Sequence, residues 1–303
     1  TMSIKREKIG FIGLGNMGKP MAGHLAKAGY DMMIFDISSD LSTKVSKEIS
    51  SKPANNIEEI GIFSDIVITC LPNGKIVQDV MIGSGKLAKI MKKGNLLVDM
   101  SSSDPIETDQ LGSSLKELGI SMIDAPVSGG VKGAHGGTLT IITGGALEDY
   151  NRAEPILNVL GGKVFHVGRL GCGQAMKALN NLCSATGLLI VAEALKAGEK
   201  FGLNPEMMID VLNVSTGRNN STENKVKQFI LSEEYEKAGF AMDLMVKDIS
   251  TAVTFAQELK VFMPLGLKAV DVWSEALTSL DGKPDHTEIA HWVKNTKPKL
   301  LKE

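Results

Sequence analysis

Ile9-Gly10-Phe11-Ile12-Gly13-Leu14-Gly15-Asn16-Met17-Gly18 decides how this chain begins to fold. Lys8–Ile12 reads as a short apolar-rich strand. It runs directly into G-x-G-x-x-G, and an amphipathic stretch, Met17–Ala28, follows. In a strand–turn–helix setting the first glycine permits a tight turn. The second lets a backbone approach a pyrophosphate, and the third lets helix pack on strand. Free N–H groups at the helix start favour an anion. A second apolar run, Asp31–Asp36, ends in an acid at about the spacing at which a carboxylate meets the adenosine ribose hydroxyls. Ile37, Ser38 and Ser39 follow, with no Arg or Lys to receive a 2′-phosphate. Gly13, Leu14, Gly15, Asn16, Met17, Gly18 and Asp36 are therefore expected to bind NAD in preference to NADP.

Outward from this motif, strand-like runs recur at Asp65–Leu71, Asn95–Asp99 and Ser121–Asp124, with helix-length segments such as Pro105–Leu118 between them. Strands alternating with helices predict a buried parallel sheet. A further strand pair, Thr138–Thr143 and Lys163–His166, is expected to close this half. The pattern changes near Gly168. Gln174–Phe201 reads as one long helix ended by Gly202, and Asn204-Pro205-Glu206 as the start of another. Helical patterns fill Glu206–Val214, Asn224–Leu231, Ala241–Glu258, Gly266–Ser279 and His286–Lys294. The expected architecture is an α/β Rossmann-type dinucleotide-binding domain (residues 1–167) and an all-α domain (168–303), joined by the long helix.

Composition sets wider limits. The 303 residues are 43% hydrophobic and 22% charged, with a net charge of −2. That length suits two domains, and 33 basic against 35 acidic residues give no surplus for nucleic acid or an anionic membrane. The richest apolar run, Ala185–Ala192, is far shorter than a membrane span and stops at Glu193. Thr1–Arg6 holds no apolar signal-type segment. Cys70, Cys172 and Cys183 are few, odd in number and without C-x-x-C spacing. A reduced, cytoplasmic protein is expected. No metal is expected: His286 and His291 are wrongly spaced for two ligands on one helical face, and His24, His135 and His166 are scattered.

Two further segments bear chemistry. Asp124-Ala125-Pro126-Val127-Ser128-Gly129-Gly130 follows a strand, and glycines recur at 133, 136, 137, 144 and 145. Read from the residues, this is either an anion nest with Ser128 as an added donor or a wide turn that needs glycine for geometry. Gly171-Cys172-Gly173-Gln174-Ala175-Met176-Lys177 opens the long helix, and Asn180 and Asn181 follow. Lys177 and Asn181 are four apart and share a face. A desolvated lysine near a positively charged ring holds its proton less tightly and can relay it to or from an alcohol oxygen. A helical lysine is also commonly a solvated point charge.

Together the three segments resemble the β-hydroxyacid dehydrogenase family, which includes 3-hydroxyisobutyrate and tartronate semialdehyde dehydrogenases. Gly10–Met21 is similar to its G-F-I-G-L-G-x-M-G-x-x-M pattern, Asp124–Gly130 to D-x-P-V-S-G-G, and Gly171–Asn181 to G-x-G-x-x-x-K-x-x-N-N. Phe240–Asp248 resembles its K-D segment. The resemblance spans essentially the whole chain. It implies Lys177 as general acid/base, Asn181 as a substrate holder, and Ser128, Gly129 and Gly130 as the substrate-carboxylate loop. It further implies Leu71, Pro72, Ser102 and Lys247 as cofactor contacts, and a homodimer or homotetramer joined through the helical domains. The implied reaction interconverts a small β-hydroxy acid and its semialdehyde with NAD. Arg218, in Thr216–Ser221, is a candidate for a second carboxylate on a diacid or sugar acid such as tartronate semialdehyde, glycerate or 2-(hydroxymethyl)glutarate. Lys132 is a candidate for the same field, and both also read as solvated loop charges. A 6-phosphogluconate dehydrogenase requires a longer helical domain, and imine reductases replace the lysine found here at 177. A non-catalytic NAD-binding sensor is the alternative of another class.

Overall fold

The computed structural model describes residues 7–297, so the N-terminal hexapeptide read above lies outside the described residues. By Cα proximity the chain divides into two compact units, at Lys177 and Ala178, inside the long helix.

The first unit is built on one sheet of nine strands among the described residues: β1 (Ile9–Ile12), β2 (Met32–Phe35), β3 (Lys52–Pro53), β4 (Ile66–Thr69), β5 (Leu96–Asp99), β6 (Ser121–Asp124), β7 (Val127–Ser128), β8 (Leu139–Gly144) and β9 (Gly161–Gly168). The order is β3-β2-β1-β4-β5-β6-β8-β7, with β9 on β8. From β3 to β6 all pairings are parallel, with Ile9 level with Met32 and with Ile66. β8 then joins β6 antiparallel through Asp124 and Gly144, a reversal the strand–helix alternation does not encode. β9 runs parallel to β8.

Period-two alternation explains the layers. Ile66, Ile68, Leu96 and Val98 point to one face with Ile9, Phe11 and Ile34. Val67, Leu97 and Ile12 point to the other. On the first face lie α1 (Gly18–Lys27), α2 (Ser39–Ile49) and α7 (Leu147–Leu160). On the second lie α3 (Ile57–Phe63), α4 (Gly74–Ile82) and α5 (Pro105–Glu117). A parallel sheet needs cover on both faces, and near-continuous apolar strands supply the burial. Side-chain caps fix several helix starts: Ser38 for α2, Asn56 for α3, Asn73 for α4 and Asp104 for α5. The α7 helix contains Pro155, which reads as a breaker in sequence. It persists because Tyr150, Ala153, Ile156, Leu157 and Leu160 bury against the sheet. A short α6 (Gly130–Gly136) follows β7.

The long helix α8 (Cys172–Phe201) has 30 residues. By length and composition it could cross a membrane, yet half of its most apolar window is buried within the fold. Its later part belongs to the second unit, with α9 (Pro205–Asn213), α10 (Asn220–Asn224), α11 (Met242–Glu258), α12 (Pro264–Ser279) and α13 (Ile289–Asn295). Trp273, Ile249, Met242 and Ile289 are fully buried here. The helix expected over Asn224–Leu231 is instead α10, capped by Asn219, followed by a π-helical turn over Val226–Ile230. One turn of sequence cannot separate a period of 3.6 from the wider π spacing, because Val226 and Ile230 face inward in either.

Candidate active site

Strand order reverses around β1, with β2 on one side and β4 on the other, and the ends of these strands hold the nucleotide turn. In open α/β sheets the crevice at such a point is where ligands bind. Gly13 has φ +100°, and a Cβ there would meet the Cys70 carbonyl oxygen at 2.2 Å. A Cβ on Gly18 would lie 1.9 Å from the Gly13 carbonyl oxygen. These two glycines are required by packing. Gly15 differs, since a Cβ there would meet nothing within 4 Å. Its side is open space beside exposed Asn16, a cradle that fits a pyrophosphate at close backbone approach.

Asp36 directly follows β2, with both carboxylate oxygens engaged. Oδ2 accepts the Leu14 N–H at 2.9 Å and Oδ1 the Ser38 N–H at 3.0 Å. The acid is thereby tied to the glycine turn, and Ile37 beside it is 98% exposed.

Further along the strand ends, Asp99 accepts from the Thr69 hydroxyl (2.9 Å), the Ser101 N–H (3.0 Å) and the Ser103 hydroxyl (3.3 Å). Burial pushes this carboxyl above the ordinary range against those hydrogen bonds. Ser101 Oγ in turn accepts the Leu71 N–H at 2.9 Å. Leu71, exposed Pro72 and half-buried Ser102 thus lie on two loops that are bonded to each other.

Asp124, at the end of β6, accepts the Gly171 N–H on Oδ1 at 2.8 Å and the Gln174 N–H on Oδ2 at 2.7 Å. Desolvation raises its pKa to about 6 although both bonds favour the ionised form. The Gln174 side chain donates to the Ser101 carbonyl at 2.7 Å and accepts the Ser103 N–H at 3.0 Å. Gly173 packs where a Cβ would lie 2.4 Å from the Ile142 carbonyl oxygen. The first turn of α8 is therefore clamped to strand ends and to the Ser101–Ser103 loop, and Lys177 stands one turn further on, only 8% exposed. Asp99, Ser101 and Gln174 were not singled out for a role from sequence. For Asp99 a signal was available: acids end β5 and β6, and Asp36 directly follows β2, at the end of the sheet where ligands bind.

In the glycine-rich loop, Gly129 and Gly130 take φ +126° and +60°, and nothing lies within 4 Å of a Cβ on Gly130. Ser128 pairs in β7 with Thr140 of β8. The two positive-φ glycines open an N–H-lined bend at the start of α6. Lys132 beyond them is exposed.

Within the second unit, Asn181 is 6% exposed and donates from Nδ2 to Asp248 Oδ2 at 2.6 Å, while its Oδ1 accepts from Asn180 at 3.1 Å. Lys247 Nζ lies 3.8 Å from Asp248 Oδ1. Arg218 is 62% exposed at its side chain and stands 3.6 Å from Glu223, a solvated pair.

Comparison with known proteins agrees with this arrangement. Residues 8–168 match the family described as the NAD binding domain of 6-phosphogluconate dehydrogenase. Residues 171–293 match the family described as NAD-binding of NADP-dependent 3-hydroxyisobutyrate dehydrogenase. The chain is 39% identical over 287 residues to 2-(hydroxymethyl)glutarate dehydrogenase of Eubacterium barkeri, covering 94% of each protein. It is 34% identical to mitochondrial 3-hydroxyisobutyrate dehydrogenase of Mus musculus, covering 96% of this chain and 88% of that one. The solved structure of Mycobacterium tuberculosis 3-hydroxyisobutyrate dehydrogenase with L-serine superposes with a TM-score of 0.88 at 29% identity, covering 95% and 99%. A nucleotide turn with an open Gly15, a buried lysine on a clamped helix and relatives matched along nearly their full length have one common account: the chain is an oxidoreductase of the β-hydroxyacid dehydrogenase family.

Proposed function

We propose that the protein oxidises the hydroxyl of a small β-hydroxy acid to its semialdehyde, and reduces it back, with Lys177 as the general acid/base. The observation that carries this reading is a lysine 8% exposed on a helix whose first turn is held by Asp124 and Gln174. Bound NAD supplies the hydride acceptor. Lys177, as the free amine, takes the hydroxyl proton as the C–H bond breaks, and returns it in the reverse direction. Asn181, oriented by Asp248, holds the reacting oxygen. Ser128 and the N–H groups of Gly129 and Gly130 hold the carboxylate and so fix the position of the reacting carbon.

The glycine turn binds the pyrophosphate, and Asp36 the ribose hydroxyls. Leu71, Pro72, Ser102 and Lys247 are assigned to the cofactor on the family pattern. One matched family is described from an NADP-dependent relative. Here the Asp36 carboxylate and the run Ile37-Ser38-Ser39 offer a 2′-phosphate repulsion and no cation, which favours NAD.

The working assembly in this reading is a homo-oligomer of a cytoplasmic enzyme. Phe201, Val214 and Phe262 of the second unit are 88%, 87% and 81% exposed, with Met207, Leu259 and Leu265 above 60%. Large apolar side chains left this exposed support assembly, and light scattering after size exclusion reads it directly. Residues 1–167 and 168–303 are proposed as the nucleotide and the substrate/oligomerisation domains.

The deciding experiment is an NAD-linked absorbance screen over 3-hydroxyisobutyrate, glycerate, 3-hydroxypropionate, 4-hydroxybutyrate, threonate and 2-(hydroxymethyl)glutarate. Turnover that depends on Lys177 supports the reading. NAD binding without turnover on any of them leaves a sensor.

A further inference from the structure

Ser184 follows Lys177 by seven residues and Asn181 by three, so at 3.6 residues per turn all three lie along one stripe of α8. The Lys225 ammonium rests on that stripe, 3.3 Å from Ser184 Oγ. Lys225 joins α10 to the π-helical turn with backbone angles of −129° and −44°, outside the regular helix on either side. Single π turns of this kind recur at functional sites.

The electrostatics of this lysine are unusual. Desolvation draws its pKa down to about 8, while the negative charge of Asp285 opposes that shift. Asp285 is already committed. Its Oδ1 accepts from the Thr287 N–H and hydroxyl at 2.8 and 2.7 Å and lies 3.0 Å from His286 Nδ1, and its Oδ2 accepts the Phe240 N–H at 2.8 Å. Among the described residues no carboxylate lies within ion-pair distance of Lys225. A cation withdrawn from water beside one neutral hydroxyl costs stability that an apolar residue would not. An arriving anion offsets that cost. Arg218 is a poorer receptor, because it is well solvated and already faces Glu223.

We infer that Lys225, with Ser184, is the subsite for the second carboxylate of a dicarboxylic β-hydroxy acid, aligned along α8 beyond Lys177 and Asn181. This deepens the hydroxy-acid reading above and rests on it. Seven residues of helix span about 10 Å, a gap that a short carbon chain and the lysine stem bridge together. A monocarboxylic substrate leaves Lys225 without its anion, so the lysine selects by chain end and not by chemistry.

The test uses the NAD-loaded enzyme at pH 7 and has two arms. In the first, calorimetry measures binding of unreactive glutarate and butyrate to wild type, Lys225→Met and Lys225→Arg. Wild type should bind glutarate at least tenfold more tightly than butyrate. Lys225→Met should lose that difference and Lys225→Arg should keep part of it. Equal binding in wild type, or an undiminished preference in Lys225→Met, overturns the assignment. In the second arm, kcat/KM is compared for 2-(hydroxymethyl)glutarate and 3-hydroxyisobutyrate, and the diacid-to-monoacid ratio should fall at least tenfold in Lys225→Met. A smaller fall also overturns the assignment. If neither alcohol turns over, the hydroxy-acid reading fails and glutarate binding alone decides Lys225. If both turn over with no glutarate preference, the Lys225 subsite fails and that reading stands.

Discussion

Asp124 accepts the Gln174 backbone N–H at 2.7 Å, so a carboxylate fifty residues earlier in the chain caps the helix that bears Lys177. A helix start leaves N–H groups without partners, and a carboxylate there satisfies them and complements the helix dipole. The same carboxyl is buried, and its pKa rises to about 6. Protonated folded Asp124 therefore persists at pH values where the unfolded chain is already ionised. Its linkage contribution is fully present below about pH 4 and is lost as pH rises through about 6. Relative to Asp124→Asn, wild type should gain on the order of 2 kcal/mol between pH 7 and pH 4. Urea unfolding at the two pH values reads this directly, and a constant difference between the proteins contradicts it.

Replacing Lys177 by Ala should lower kcat by roughly 10²–10⁴, the scale of a general acid/base. Affinity for NAD, measured by fluorescence titration, should hold, because the nucleotide turn belongs to β1 and α1. A kcat near that of wild type removes Lys177 from the chemistry.

The glycines of the turn should separate by role. Gly18→Ala places a methyl 1.9 Å from the Gly13 carbonyl oxygen and should cost stability. Gly15→Ala meets no neighbour, so its Tm should match or slightly exceed wild type, as a rigid residue replaces a flexible one. Its Kd for NAD should rise tenfold or more. Unaltered NAD affinity in Gly15→Ala would mean the pyrophosphate lies elsewhere.

Asp36 should set the choice of nucleotide. Wild type is expected to show a higher kcat/KM with NAD than with NADP, and Asp36→Ser to narrow that ratio at least tenfold. Because Asp36 also accepts the Leu14 N–H, the variant should lose some activity with NAD as well. A wild-type preference for NADP would refute the assignment.

Lys225 should be a stability cost. Its depressed pKa means that the folded state resists the proton the unfolded chain takes up, so the penalty is full below about pH 8 and fades as pH rises toward 10.5. Lys225→Met should therefore raise stability by about 1–3 kcal/mol at pH 7, with the gap closing in alkali. Denaturant midpoints at pH 7 and pH 10 check this, and a less stable variant at pH 7 counts against the burial argument.

How far these features could be read in advance depends on their distance along the chain. The glycine turn, Asp36, the two glycines after Ser128 and the Lys177–Asn181 spacing were all legible, because each is a local pattern imposed by dihedral sterics or helical period. The two-residue β3 at Lys52–Pro53 was not, since its residues are exposed and too few to show alternation. Nor was α7, where Pro155 hides a helix that tertiary burial sustains.

Sequence by itself was enough for the α/β-then-α organisation, the nucleotide turn and the lysine helix, because hydrophobic period and glycine placement act on neighbours in the chain. Only the tertiary structure set β8 antiparallel against β6, clamped α8 through Asp124 and Gln174, exposed Arg218 and brought Lys225 onto Ser184. The hydrogen bonds among them join residues 41 to 73 positions apart. No local rule selects such partners. They follow from which apolar faces bury together, and burial then determines which polar groups must meet.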